Sequence, residues 1–357
     1  MTYLRDAWYM AGWNRDFPAG EPKAATILGE PIVLFRSESG QVIALEDRCV
    51  HRLSPLSLGR CERDKLRCQY HGLLFAADGA VVEIPGQAMI APTARVRSYP
   101  IMERHSAIWI WMGTPESADP ALLPDFVGYE HPDWALVPGR LDYAAPAKLI
   151  HDNLLDLSHI AYVHANSFAG GNMAIGMSWV NADMRVNSLP RGVRVQRWMQ
   201  DVPCGPAGPS GMAGVRQDVF TSYDFLVPGI FLQRTQRHPA GTCERLNGGE
   251  PDAAGSLFST FTCQAVTPMT TDTACYFFAY GPWAADAERK QFFAELGLRA
   301  FNEDKTMIEA QYRVIRQTEK PRMMPMVMDK AVLTYEGVLK RLLRAQGGAE
   351  EPRAVMA

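Results

Sequence analysis

Two short clusters, Cys49-Val50-His51 and Cys68-Gln69-Tyr70-His71, constrain this 357-residue chain more than any other feature. Each pairs one thiolate donor with one imidazole donor. If the four side chains act together, the fold must bring two separate loops to one point. A lone Cys-x-His arises often by chance, whereas the doubled arrangement is rarer.

Two Cys and two His suit a Rieske 2Fe–2S cluster, in which two thiolates hold one iron and two imidazoles hold the other. Imidazole is neutral where thiolate is anionic, so such a cluster takes up an electron at a higher potential than an all-Cys one. Zinc accepts the same ligand set. Zinc motifs, however, usually pair Cys with Cys and His with His, and each loop here carries one of each. Gly72 directly follows His71, and Pro85-Gly86 is placed to form a third loop over a cluster.

The length suggests two domains. A chain that is 47% hydrophobic and 21% charged is typical of a globular protein with sizeable cores. The net charge of −3 recommends neither nucleic acid nor an anionic membrane as a partner. Met1 to Asp6 contains no apolar run of signal-peptide type, and no apolar stretch approaches the length of a membrane span. Seven Cys at scattered spacings do not form a disulfide framework. Cys61, Cys204, Cys243, Cys263 and Cys275 read as free thiols of a reducing cytoplasm, the expected compartment.

The first third reads as β. Residues 26–28, 31–36, 42–45 and 107–112 are short runs rich in branched or aromatic residues, punctuated by Gly29 and Gly40. This pattern predicts a small antiparallel domain over 1–113. A proline-rich connector follows over 114–146, then a second domain over 147–346 and a flexible tail over 347–357. Within the second domain, Leu149, Ile150, Leu154, Leu157, Ile160 and Ala161 recur at helical spacing and predict a helix from Pro146 to Val163. Strands are expected at 193–198, 224–227, 230–233, 256–261 and 275–280, and late helices at 286–317 and 330–346.

The first of these helices carries Asn153, Asp156 and His159 at successive i, i+3 positions, with His164 just beyond. Two His and one carboxylate form the facial set of non-heme iron(II) oxygenases, which leaves open positions for oxygen. Asp304 supplies the carboxylate. On a helix it falls beside Phe301 and Ile308, on the apolar stripe, and a buried carboxylate requires a partner. Taken without the Cys-His clusters, pairing with a nearby base would be the plainer account of Asp304; with them, a metal is. Glu303 is the rival ligand, read as a solvated neighbour. His105, His131 and His238 have no partner pattern and read as surface or loop residues. His151 lies close to the face of His159 but is not read as a ligand.

An electron-storing cluster followed by an oxygen-activating iron resembles the Rieske non-heme iron aromatic-ring oxygenases, over nearly the whole chain. The resemblance is carried by Asp6-Ala7-Trp8-Tyr9, the Cys49 to His71 block, Asp152-Asn153-Leu154-Leu155-Asp156-Leu157-Ser158-His159 with His164, and Glu303-Asp304. Leu56-Ser57-Leu58-Gly59, His71-Gly72-Leu73 and Tyr162-Val163-His164 point to the branch with the oxygenase components of vanillate and dicamba O-demethylases. That resemblance implies an α+β chain, with an antiparallel β Rieske domain before a helix-grip catalytic domain. It implies that Cys49, His51, Cys68 and His71 bind the 2Fe–2S cluster, and that His159, His164 and Asp304 bind a mononuclear Fe(II) with Asn153 close by. Asp156 would bridge a cluster His of one subunit to an iron-binding His of its neighbour in a homotrimer. A reductase or ferredoxin fed by NAD(P)H would supply electrons, and a small aromatic compound and O2 would be the substrates.

The substrate pocket is expected among Ile230, Phe231, Gln233, Gln264 and Phe278, with Arg234 or Arg237 as candidate anion partners. Dealkylation and simple hydroxylation use the same iron, and no motif separates them. A Rieske electron carrier without oxygen chemistry would leave two-thirds of the chain unexplained. Iron content separates the classes: an oxygenase should purify with about three iron atoms per chain, and a carrier with about two.

Overall fold

The computed structural model describes residues 3–347. They fall into two compact units, Tyr3–Asp125 with Thr267–Thr271, and Phe126–Val266 with the residues from Asp272 onward. The expected connector is therefore divided between the units at Asp125/Phe126. Its last part, Val137–Tyr143, is a strand in full register, from Val137 opposite Tyr280 to Tyr143 opposite Ala274. Pro138 is tolerated there because the strand is a sheet edge. Gly139 is required because a Cβ would lie 2.3 Å from the Phe278 ring. Of the expected tail, only Gly347 lies within the described residues.

The first unit contains β1 (Trp8–Trp13), β2 (Lys23–Ile27), β3 (Glu30–Arg36), β4 (Val42–Glu46), β5 (Arg60–Glu62), β6 (Lys65–Arg67), β7 (Leu74–Phe75), β8 (Val81–Glu83), β9 (Ser98–Tyr99), β10 (Ile101–Arg104) and β11 (Ala107–Trp111). They form antiparallel sheets in the orders β1-β11-β10, β2-β3-β4-β9 and β5-β6-β7-β8. Alternate residues of β3 and β4, Val33, Phe35, Ile43 and Leu45, meet Leu56, Leu66 and Phe75 in one core that also contains Cys49 and Cys68.

The second unit is a seven-stranded sheet, ordered β12 (Val137–Tyr143), β18 (Ala274–Pro282), β17 (Phe258–Pro268), β16 (Ile230–Pro239), β15 (Arg216–Leu226), β14 (Gly192–Pro203) and β13 (Asp183–Leu189). Its helices are α1 (Ala147–Leu155), α2 (Met173–Val180), α3 (Thr242–Arg245), α4 (Lys290–Gln317) and α5 (Lys330–Gly347). Helix α4 packs on β12 and β18, α5 on β13 and β14, and α1 touches both helices. In α4 the buried residues Phe293, Leu296, Gly297, Ala300, Phe301, Asp304 and Ile308 recur every three or four positions, so Asp304 occupies a slot that the helical period assigns to the core. The architecture is the α+β arrangement expected of the sequence. Helix α2 was not foreseen; strands were expected directly after the Gly170-Gly171 loop. No helix of the described residues is long and apolar enough to cross a membrane.

Glu30, at the start of β3, ties the first unit together. It accepts hydrogen bonds from the Tyr99 hydroxyl at 2.7 Å and Arg97 at 3.1 Å, and from Arg5. Burial alone would raise its pKa; the hydrogen bonds from Tyr99 and Arg5 and the charges of Arg5 and Arg97 outweigh it, and the net shift is downward. A carboxylate depressed in the folded state stabilises above its unfolded pKa, and that stabilisation is lost as pH falls through the folded value. Glu30→Gln should therefore cost about 1–3 kcal/mol at neutral pH. The gap from wild type should narrow below about pH 4, as denaturant melts of both proteins across that range would register.

Candidate metal centres

The two Cys-His loops share one construction. The Cys49 N–H donates to Ser54 O at 2.9 Å, and its carbonyl accepts from Leu53 N–H at 2.9 Å. The Cys68 N–H donates to Leu73 O at 2.8 Å, and its carbonyl accepts from Gly72 N–H at 3.1 Å. Each chain reverses four residues after its Cys through a left-handed residue, Leu53 at φ 55° and Gly72 at φ 74°. A Cβ on Gly72 would also lie 3.0 Å from Pro85, which does come up against the loop. The result sorts the donors by depth. Cys49 and Cys68 are 2% exposed, whereas His51 and His71 are exposed, with ring centroids 4.5 Å apart. Burial pushes the Cys49 thiol up and the adjacent Cys68 adds to this, while the backbone N–H groups of His51 and Arg52 aim at its sulfur and oppose the rise. Two adjacent buried thiols beside two imidazoles fit a 2Fe–2S cluster, whose irons would draw off the thiol protons.

The second site forms where α1 ends. Pro146 starts the helix in an extended conformation, and Leu149, Ile150, Leu154 and Leu155 bury its inner side. The chain leaves the helix at Asp156 (φ −118°, ψ 98°), so the expected continuous helix to Val163 is instead α1 followed by a 3-10 turn over Leu157–Ala161. The cause is local: the Asp156 carboxylate accepts from the Ser158 N–H and hydroxyl, both at 2.9 Å, and caps the new turn. Asn153, Asp156 and His159 accordingly do not share one helical face.

The break aims His159 at Asp304. His159 Nε2 lies 3.4 Å and His164 Nε2 3.3 Å from the same oxygen, Asp304 Oδ1. Asn153 Nδ2 donates to that oxygen at 3.0 Å. The three donor groups lie within 4.8 Å of one another. Both imidazoles are engaged at Nδ1, His159 to the Asp156 carbonyl at 2.6 Å and His164 to Glu303 Oε2 at 2.8 Å. An Nδ1–H donating outward leaves each Nε2 lone pair free for a cation. Burial holds His159 below the usual imidazole range despite the pull of Asp304. Burial also acts on His164, but hydrogen bonds and charge from Asp304 and Glu303 outweigh it and raise that ring. Asp304 is lowered: burial would raise it, and His164, His159 and Asn153 overcome this. Two imidazoles and one carboxylate with free donor atoms fit a mononuclear iron(II).

Glu303, expected to be a solvated neighbour, instead holds His164 and accepts from the Ser167 hydroxyl at 2.6 Å. Its position next to Asp304 was the available signal. Arg197, 3% exposed, was also missed; its Nη2 lies 3.9 Å from Asp156. His238, expected at the surface, is buried on β16 with Nδ1 3.1 Å from Gly255 O. His151 is buried between Phe225 and Tyr335, where burial pushes it down to about 3, and does not line the pocket.

The trio opens on a cavity of about 1000 Å³, including its mouth. Leu157, Ile160, Phe168 and Phe301 give it apolar walls, and β16 contributes Phe231, Gln233, Thr235 and Arg237 at alternate positions. Of the expected lining, Phe231, Gln233 and Gln264 are present. Ile230 falls on the opposite face by strand alternation, and Phe278 packs behind Phe301 at 4.6 Å. Arg234 also faces away, over Trp134.

Residues 7–100 match the Rieske [2Fe-2S] domain family, and residues 143–345 match the vanillate O-demethylase oxygenase C-terminal domain family. The chain is 34% identical to the iron-sulfur subunit of a toluene-4-sulfonate monooxygenase system from Comamonas testosteroni, over 98% of this chain and 100% of that protein. It is 31% identical to the oxygenase subunit of a vanillate O-demethylase from a Pseudomonas species, over 91% and 97%. A crystal structure of dicamba monooxygenase bound to 3,6-dichlorosalicylic acid superposes with a TM-score of 0.85 at 27% identity, over 98% and 100%.

Replacing Glu303 with Gln leaves the ligand trio intact but weakens the acceptor at His164 Nδ1. Glu303→Gln should lower iron affinity at the mononuclear site about 10- to 100-fold while the visible absorption of the cluster is unchanged. Chelator competition followed by iron analysis separates the two.

Proposed function

This chain belongs to the Rieske oxygenases with a C-terminal domain of the vanillate O-demethylase type, and from that premise we propose that it is the terminal oxygenase component of a multicomponent monooxygenase that removes an alkyl group from an aromatic ether or amide. The observation that carries the reading is the convergence of His159, His164 and Asp304 on the wall of a largely apolar cavity. Cys49, His51, Cys68 and His71 would hold the cluster, and His159, His164 and Asp304 the iron. When bound, these groups supply stored single electrons at one site and oxygen activation at the other.

The net reaction balances as one O2, two electrons and two protons inserting one oxygen atom into a C–H bond and releasing one water. Where the oxidised carbon carries an ether oxygen or amide nitrogen, the resulting hemiacetal or hemiaminal collapses to an aldehyde and a dealkylated product. The electrons come from NAD(P)H by way of a reductase or ferredoxin. The protein's own residues act as holders. Asp156 and Glu303 orient the two imidazoles, through a backbone carbonyl and a carboxylate. Asn153 keeps Asp304 turned toward them, and Phe168 and Phe301 wall the cavity beside them.

The chain acts in a homotrimer in this reading, with Asp156 carrying electronic contact between a neighbour's cluster His and His159. The exposure of His51 and His71 supports this, as do Leu53 at 69% and Tyr70 at 60% on the same loops. Hydroxylation of a ring or its methyl group is the second reading; the toluene-4-sulfonate relative favours it.

Purified protein supplied with a compatible reductase, NADH and O2 should release aldehyde in step with NADH use from some member of a panel of methoxybenzoates, neutral aryl ethers and N-alkyl anilides. Oxidised product without aldehyde would move the reading to a hydroxylase. Asp156→Asn should retain cluster and iron yet lose turnover, and steady-state activity at the wild-type rate would remove the bridging role.

A further inference from the structure

Arg237 stands out on the cavity wall. It is 8% exposed, and its Nη1 is buried without a hydrogen-bond partner. Among the described residues no carboxylate reaches it within ion-pair distance. Around it are the Tyr280 phenol and the Cys204 thiol, both kept uncharged by burial, the Phe258 ring 5.5 Å away and the guanidinium of Arg289. Arg289 adds a second positive charge, and its own donors are committed to the carbonyls of Gly208 and Pro206. Burial, with Arg289 adding to it, holds Arg237 below the usual guanidinium range. A buried cation with no counter-charge is costly unless something occupies the space in front of it.

The position is as informative as the charge. Strand alternation turns Phe231, Gln233, Thr235 and Arg237 into the cavity, so the guanidinium sits at the far end of a row that begins with an apolar ring. From the ligand trio, His164 packs on Phe168 at 5.2 Å and Phe168 on Tyr280 at 5.9 Å, and Tyr280 interacts with Arg237. Two aromatic rings thus separate the cation from the metal ligands. The side-chain oxygens of Gln217 and Gln264, which also line the cavity, are buried and unpartnered as well.

We infer that Arg237 is the specificity-determining residue of this cavity, and that the substrate is an aromatic compound bearing an oxyanion, carboxylate or sulfonate, which pairs with Arg237 at one end and presents its oxidised carbon to His159, His164 and Asp304 at the other. This rests on the reading of the cavity as the substrate site of an oxygenase. The guanidinium supplies two parallel N–H donors that match either oxyanion.

The test uses the holoenzyme and two readouts. Calorimetric binding is measured for 4-methoxybenzoate, 4-methoxybenzenesulfonate and 4-methylbenzenesulfonate, and for the neutral 4-methoxybenzamide. Turnover is followed as substrate-dependent O2 uptake with product identification. Wild-type protein should bind at least one of the anions about 30-fold or more tightly than the neutral isostere. Arg237→Met should erase that preference and leave the affinity for the benzamide within a few-fold, with Arg237→Lys recovering part of it. Preference for the carboxylate over the sulfonate, or the reverse, assigns the oxyanion. Equal affinity of wild-type protein for the amide and every anion overturns the proposal without any variant, as does an unchanged anion preference in Arg237→Met. An anion that binds through Arg237 but yields an alcohol instead of an aldehyde leaves the inference standing and removes the dealkylation reading.

Discussion

Asp304 is a carboxylate in a place built for an apolar side chain, and much of the second unit is arranged around that fact. Taking a charged carboxylate out of water is unfavourable unless hydrogen bonds and opposite charge replace the lost solvation. Here one oxygen faces two imidazoles and an amide, from two other segments of chain. Those segments must be held to within a few tenths of an ångström for the compensation to work. The stripe on α4 does this from one side and the buried residues of α1 from the other. Packing and site are therefore one structure: Phe301 and Leu154 are buried in the core and line the cavity as well.

The same economy governs the ligands. Ending α1 at Asp156 frees a carbonyl that no longer accepts within the helix, and His159 uses it. The side chain that ends the helix also begins the next turn. In the first unit a comparable sorting occurs without a helix. The thiol donors are part of the hydrophobic core, so their sulfurs are shielded. The imidazoles of His51 and His71 stand at the surface instead.

The sequence was legible wherever chemistry and period coincided. The Cys-His pairs, the two His after α1 and the Asp304 slot all combine an unusual residue with a position that spacing makes meaningful. The strands were found where branched residues run between glycines. Among what escaped, three cases have a local physical cause. Asp156 ends a helix that its apolar spacing continues, because a two-residue hydrogen bond to Ser158 outweighs propensity. Glu303 looked solvated because a helix turns about 100° per residue, and only the loop carrying His164 and Ser167 gives it partners. The connector concealed an edge strand, since Pro138 and Gly139 read as breakers until Phe278 and the free strand edge explain them.

The alternation along β16 divides labour within a single strand. Residues 231, 233, 235 and 237 meet whatever enters the cavity, while 230, 234 and 236 belong to the opposite face of the sheet. Substitution at the odd positions changes the lining of the cavity and leaves the other layer untouched. A lineage carrying this fold can therefore reshape the cavity by editing every second letter of one strand, with the scaffold that brings His159, His164 and Asp304 together inherited unaltered.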